Sequence, residues 1–297
     1  MIYFVQNGLQ FVQKMPTSTR LDRLSALLEA LAPQVELTRA GSTLDTGLAV
    51  DTSAACLLYL YVLTQGELIF TLQDSVRSVP SPAIVICRSD CAHRVSAVEA
   101  DDLAHVVRAK VSIEGPAGAL LFNEFAEPVV LPLTQADTAL TQAVSLISSE
   151  LATPRCGQPA LLNRAGDILF IGLLRHLVAH PASDSGLFKG LADPRIARSL
   201  VAVHSAPQQV WTLERMAVEA GMSRTAFANA FRSLMNQTPG KYLGSLRLAI
   251  ARAAVASGNG LKRAAKASGY ASPSALSRAL SRAAADRGAR VVASSGK

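Results

Sequence analysis

At 297 residues, 49% of them apolar and 17% charged, the chain is long enough for two cores and too apolar for general disorder. No uninterrupted apolar run approaches the ~20 residues of a bilayer-spanning helix, and residues 1–14 lack both a basic start and a cleavage site, so a cytoplasmic protein without signal peptide or membrane span is expected. The net charge of +7 is uneven: residues 195–297 hold 16 Lys/Arg against 3 Asp/Glu (+13) and residues 1–194 hold 13 against 19 (−6), the asymmetry of a basic nucleic-acid-binding half joined to an acidic half.

Met1 and Met15 are alternative starts. Residues 21–31 place leucines at helical spacing before Pro33, predicting an amphipathic helix. Short apolar segments follow at 35–38, 55–63, 67–72, 83–87, 93–95 and 105–113, separated by Gly, Asp and Ser. Residues 56–63 and 84–86 are near-continuous apolar runs, as expected for strands covered on both faces. Evenly spaced short strands with turn signals predict a β-barrel or jelly roll. Residues 128–132, bracketed by prolines, read as extended. Segments 137–152 and 160–180 carry Leu, Ile, Val and Phe at three-to-four spacing and predict two helices, with a break at 154–159. The Ser, Gly and Asp of residues 181–190 read as a linker, and Asp193-Pro194 as the N-cap and first turn of a new helix.

The densest pattern begins at Val210. Thr212 stands as an N-cap, Leu213, Met216, Ala217 and Ala220 follow at helical spacing, and Gly221 ends the helix in a sharp turn. Ser223 caps a second helix, on which Phe227, Ala230, Phe231 and Leu234 form one apolar stripe. Thr225, Ala228, Asn229 and Arg232 lie on the opposite face. Two short helices around a glycine turn, the second with a polar outer face, form a helix-turn-helix whose second helix enters the DNA major groove. Residues 261–270 repeat 213–222, with Gly269 for Gly221. After one inserted residue Leu276 and Leu280 replace Phe227 and Phe231, and Ser274, Ser277, Arg278 and Ser281 face outward.

Two such units joined by a helical run over 243–257 resemble the DNA-binding domain of the AraC/XylS family, over roughly residues 195–282. The resemblance rests on Trp211-Thr212-Leu213, residues 220–223, Phe227 and Phe231, Thr238-Pro239 with Tyr242, and Gly269-Tyr270. Residues 59–70 and 80–95 resemble the strand pairs of the cupin sensor domain in one AraC subgroup. The implied fold is α+β and multidomain: a cupin-like β-barrel over 16–125, a helical connector and dimerisation segment over 126–182, and an all-α domain with two helix-turn-helix units over 193–297. The alternative for the helical pair is that it packs only on its own barrel.

The implied function is sequence-specific transcriptional regulation. The implied partners are double-stranded promoter or operator DNA, RNA polymerase, a small-molecule or oxidant effector, and a second copy of the chain. DNA-contact candidates are Ser223, Arg224, Thr225, Ala228, Asn229 and Arg232 in the first unit. In the second they are Ser272, Ser274, Ser277, Arg278, Ser281 and Arg282. The family's usual arginine in the first recognition helix falls at Asn229, whereas the second helix keeps it at Arg278. The second unit departs further: Leu280 stands for an aromatic, and an Ala/Arg-rich tail over 283–297 replaces the closing glycine–proline–aromatic signature.

A cupin metal site needs several convergent ligands. Here Leu60 sits between Tyr59 and Tyr61 where a ligand is expected, leaving His93 and, on a later strand, His105; no metal, cofactor or catalytic residue is expected. A cupin metalloenzyme fused to a DNA-binding domain is the alternative from a different class. Cys87 and Cys91 flank a turn with Arg88, His93 and Arg94 nearby. Positive neighbours lower a thiol's pKa, which makes the two a candidate redox-sensing pair. Against this, Cys56 and Cys87 lie in apolar strands, the usual setting of buried, inert thiols.

Overall fold

The computed structural model describes residues 22–39, 48–50, 57–72, 75–97, 105–113, 115 and 117–294. Helix α1 (Ser25–Leu31) starts after Asp22, whose carboxylate accepts from the Leu24 and Ser25 amides, and buries Leu27 and Leu31. Eight strands follow: β1 (Pro33–Arg39), β2 (Leu48–Val50), β3 (Leu57–Gln65), β4 (Glu67–Leu72), β5 (Ser75–Pro80), β6 (Ala83–Arg88), β7 (His93–Ala97) and β8 (His105–Ile113). Then come α2 (Gly118–Phe122), a 3-10 turn at Asn123–Phe125, and β9 (Val129–Pro132). The barrel takes the form of an antiparallel sandwich, with sheets ordered β1-β8-β3-β6-β9 and β2-β7-β4-β5. Residues 55 and 56 of the third predicted segment lie outside the described residues.

The larger sheet is buried on both faces, which explains its unbroken apolar runs. Leu58, Leu60, Val62, Ile84 and Ile86 point to the helices, while Tyr61, Leu63, Val85 and Cys87 point into the sandwich. The helical cover is α3 (Thr138–Ala152), capped by Asp137, and α4 (Gln158–Ala179). Gly166 lets α4 approach β1 closely, since a Cβ there would sit 2.8 Å from Val35 Cγ1.

Several elements differ from the sequence reading, among them β2 and α2, which it did not anticipate. Strand β5 is exposed at five of its six positions and lacks an apolar alternation; its pairing with β4 makes it a strand. The last four residues of the expected linker (187–190) instead begin helix α5 (Leu187–Ala192), with Leu187, Phe188 and Leu191 buried. Beyond it lie α6 (Pro194–Ser205), α7 (Leu213–Ala220), α8 (Arg224–Met235), α9 (Pro239–Ala256), α10 (Leu261–Ser268) and α11 (Pro273–Ser294). The Ala/Arg-rich stretch after Arg282 continues α11 to Ser294.

Candidate nucleic-acid interface

Local chemistry builds the first unit. The Thr212 hydroxyl accepts from the Arg215 amide at 3.1 Å, Gly221 adopts φ 65°, and the Ser223 hydroxyl accepts from the Ala226 amide at 3.3 Å. The Arg198 guanidinium donates to the Ala220 carbonyl at 2.9 Å, closing the C-terminus of α7 with a cation. Phe227, Phe231 and Met235 are buried, with Ala230 and Leu234 half-buried beside them. Trp211 donates from its indole to the Ala206 carbonyl, and Arg215 lies over its ring. His204 and Tyr242 form a buried polar pair at 2.6 Å, and desolvation holds the imidazole pKa down at about 4, so it is neutral at pH 7.

The second unit repeats the geometry with smaller side chains. Gly269 takes φ 79°, and the Ser272 hydroxyl caps α11 by accepting from the Ala275 amide at 3.1 Å. Its buried cluster is Ala251, Ala264, Ala265 and Leu276, with Tyr270 and Leu280 half-buried alongside. Arg247 joins the units: its guanidinium donates to the Pro207 and Gln209 carbonyls at 3.0 and 2.6 Å. A Cβ on Gly269 would stand 2.9 Å from Gln208 Cα, so glycine serves close approach as well as φ there.

The outward residues emerge largely as the helical spacing predicts. Ser223, Arg224, Thr225, Asn229 and Arg232 are exposed on or next to α8, and Ser274, Ser277, Arg278, Ser281 and Arg282 on α11. Ser272 and Ala228 are half-buried, and Ser272 is engaged as the cap. Arg224 forms an exposed ion pair with Glu214 of α7 at 3.1 Å.

A cupin family match covers residues 22–179, and a helix-turn-helix domain match covers 216–286, spanning both units. A putative AraC-like transcription regulator of Streptomyces lividans is 30% identical over 226 residues, 75% of this chain and 73% of that protein. The chain belongs to the AraC family of transcriptional regulators. The HTH-type transcriptional regulator AlkR of Acinetobacter baylyi is 25% identical, over 76% of this chain and 84% of that protein. The RCS-specific HTH-type transcriptional activator RclR of Escherichia coli is 26% identical, over 78% and 82%. This AraC-family chain is thus a DNA-binding transcriptional regulator with a cupin sensor domain, and its relatives are regulators, not enzymes. Among the described residues no helix is long and apolar enough to cross a membrane.

Inside the sandwich of this AraC-family sensor, His93 is buried and both ring nitrogens are engaged. Nδ1 donates to the Cys91 carbonyl at 2.8 Å, and Nε2 accepts from the Tyr61 hydroxyl at 2.7 Å. The ring stacks on Phe70, and desolvation lowers its pKa. Among the described residues no three His, Cys, Asp or Glu converge as a metal site. The side chain of His105 lies outside the described residues.

The expectation that basic neighbours depress the pKa of Cys87 and Cys91 is reversed. Cys87 is fully buried, and desolvation pushes its thiol well up. Cys91 is half-buried and also raised, by desolvation first and then by Asp90. Arg88, the basic neighbour between them, is engaged by the Asp90 carboxylate and lies over the Phe122 ring. Cys87 Sγ does sit 3.4 Å from His93 Nε2.

Proposed function

We propose that this regulator reads operator DNA with α8 and α11 in successive major-groove segments on one face of the duplex, about one helical turn (roughly 34 Å) apart. The repeated helix–glycine–cap–helix unit, with Arg232, Arg278 and Asn229 exposed on its outer faces, carries this reading. Arginine grips phosphate or pairs bidentately with guanine, and asparagine favours adenine. Ser223, Arg224, Thr225, Ser272, Ser274, Ser277, Ser281 and Arg282 supply backbone-positioning contacts, and Ala228 a close approach.

The domain partition proposed is the cupin sensor, the α3–α4 helical pair as connector and dimer contact, and the DNA-binding domain from Asp193, with RNA polymerase as partner at the promoter. An effector binding in the cupin domain shifts the disposition of the two units. Oxidant control is the second reading; it rests on the 3.4 Å contact between Cys87 Sγ and His93 Nε2, which takes the thiol proton only when the Tyr61 hydroxyl gives up that lone pair. Selection of bound duplexes from random DNA tests the main reading. Two half-sites 10–11 base pairs apart are expected, by the geometry of paired recognition helices. Recovery of a single half-site, or none, overturns it.

A further inference from the structure

Helix α5 is six residues long, too short to hold itself together in isolation, and both of its ends are tied to the sensor domain. At the N-terminus the Glu124 carboxylate accepts from the Leu187 and Phe188 amides at 2.7 and 3.4 Å. At the C-terminus the Arg23 guanidinium donates to the Leu191 and Ala192 carbonyls, each at 3.0 Å. Anion and cation are placed to match the helix dipole. They come from separate sensor elements, the 3-10 turn at Asn123–Phe125 and the segment before α1.

Helix α5 and its N-cap also meet the first recognition helix. The Gly186 amide donates to the Leu234 carbonyl at 2.8 Å. Gly190 lies so close to Met235 that a Cβ there would stand 2.1 Å from its sulfur. Phe125 meets Phe188 edge to face at 5.9 Å, so the turn that presents Glu124 also packs on the helix. A shift of either sensor element moves α5, and close packing passes the shift to the Met235 end of α8.

We propose that α5, clasped by Glu124 and Arg23, is the latch through which the state of the cupin domain sets the geometry of the first recognition helix. The inference rests on the reading of α8 as a DNA-recognition helix. Glu124 sits in a desolvated site that raises its carboxyl pKa, and its two amide contacts are what oppose that rise. Releasing the latch leaves α5 and the end of α8 to be ordered on binding, which weakens the complex.

The test uses the full-length protein and a duplex that the wild type selects from random DNA. Glu124→Gln turns an amide N–H toward the Phe188 N–H, and Arg23→Gln removes the C-terminal clasp without altering the core. Each is expected to speed hydrogen exchange of the α5 amides about tenfold or more, with sandwich amides unchanged. Each should weaken duplex binding about three- to thirtyfold, and the double variant by less than the product, because both act through one element. Lys110→Gln, which breaks an exposed pair with Glu36, is the control and should do neither. Unchanged α5 exchange, unchanged affinity, multiplying effects, or an equal loss from the Lys110 variant would each overturn the latch. Failure of the wild type to select any duplex would instead remove the DNA-recognition reading.

Discussion

Leu276→Ala separates the two helix-turn-helix units energetically. Leu276 is fully buried: it is the one large side chain in a buried cluster otherwise made of Ala251, Ala264 and Ala265. Each buried alanine methyl contributes about 0.8 kcal/mol, so the three together roughly equal the 1.5–3 kcal/mol of one buried leucine. Truncation to alanine, with its cavity, costs about 2–5 kcal/mol, comparable to the whole apolar gain of the cluster. The first unit draws on Phe227, Phe231, Met216, Met235, Tyr242 and Leu246, which belong to a separate buried cluster, with α9 contributing side chains to both. Hydrogen exchange should therefore show α10 and α11 losing most of their protection while α7 and α8 keep theirs. Specific DNA affinity should fall about tenfold or more as one recognition helix is lost. Uniform loss across both units, or retained protection in α10, would refute the view that the second unit stands on its own small core.

Arg278→Ala should cost about 1–3 kcal/mol of specific binding, and Asn229→Ala less because it lacks a charge-assisted bond; equal and negligible effects in titrations at fixed salt would count against both assignments. Thiol labelling of the native protein should reach exposed Cys156 quickly and buried Cys87 slower by on the order of a hundredfold, while rapid labelling of Cys87 would revive it as an oxidant target. His204 has its pKa depressed from 6.5 to about 4, so the unfolded chain binds the extra proton between those values. Stability is therefore full above pH 6.5 and falls as pH drops toward 4, by about 3 kcal/mol. Urea unfolding at pH 7 and pH 4.5 should show this loss, and His204→Gln should reduce it while leaving the contributions of His93 and His176, whose pKa values are also lowered.

The DNA-binding half was legible because its signals are local. Thr212, Gly221 and Ser223 each act within four residues of themselves, and the periodicity of Phe227 and Phe231 fixes which face turns inward. The sandwich strands were legible where both faces are apolar, as in β3 and β6, and invisible where partners alone make the strand, as in exposed β5. Helix α5 is too short for a period to show, and its flanking Ser, Gly and Asp imitate a linker. Glu124 and Arg23 could not be singled out, because the groups they bond lie 63 to 169 residues away. The cysteines show the same divide from the other side. Sequence neighbours supply charge at a distance set by the chain, but burial removes the water that stabilises a thiolate. Burial is decided by which strands pack together, so only the tertiary structure decided that the Cys87 pKa rises.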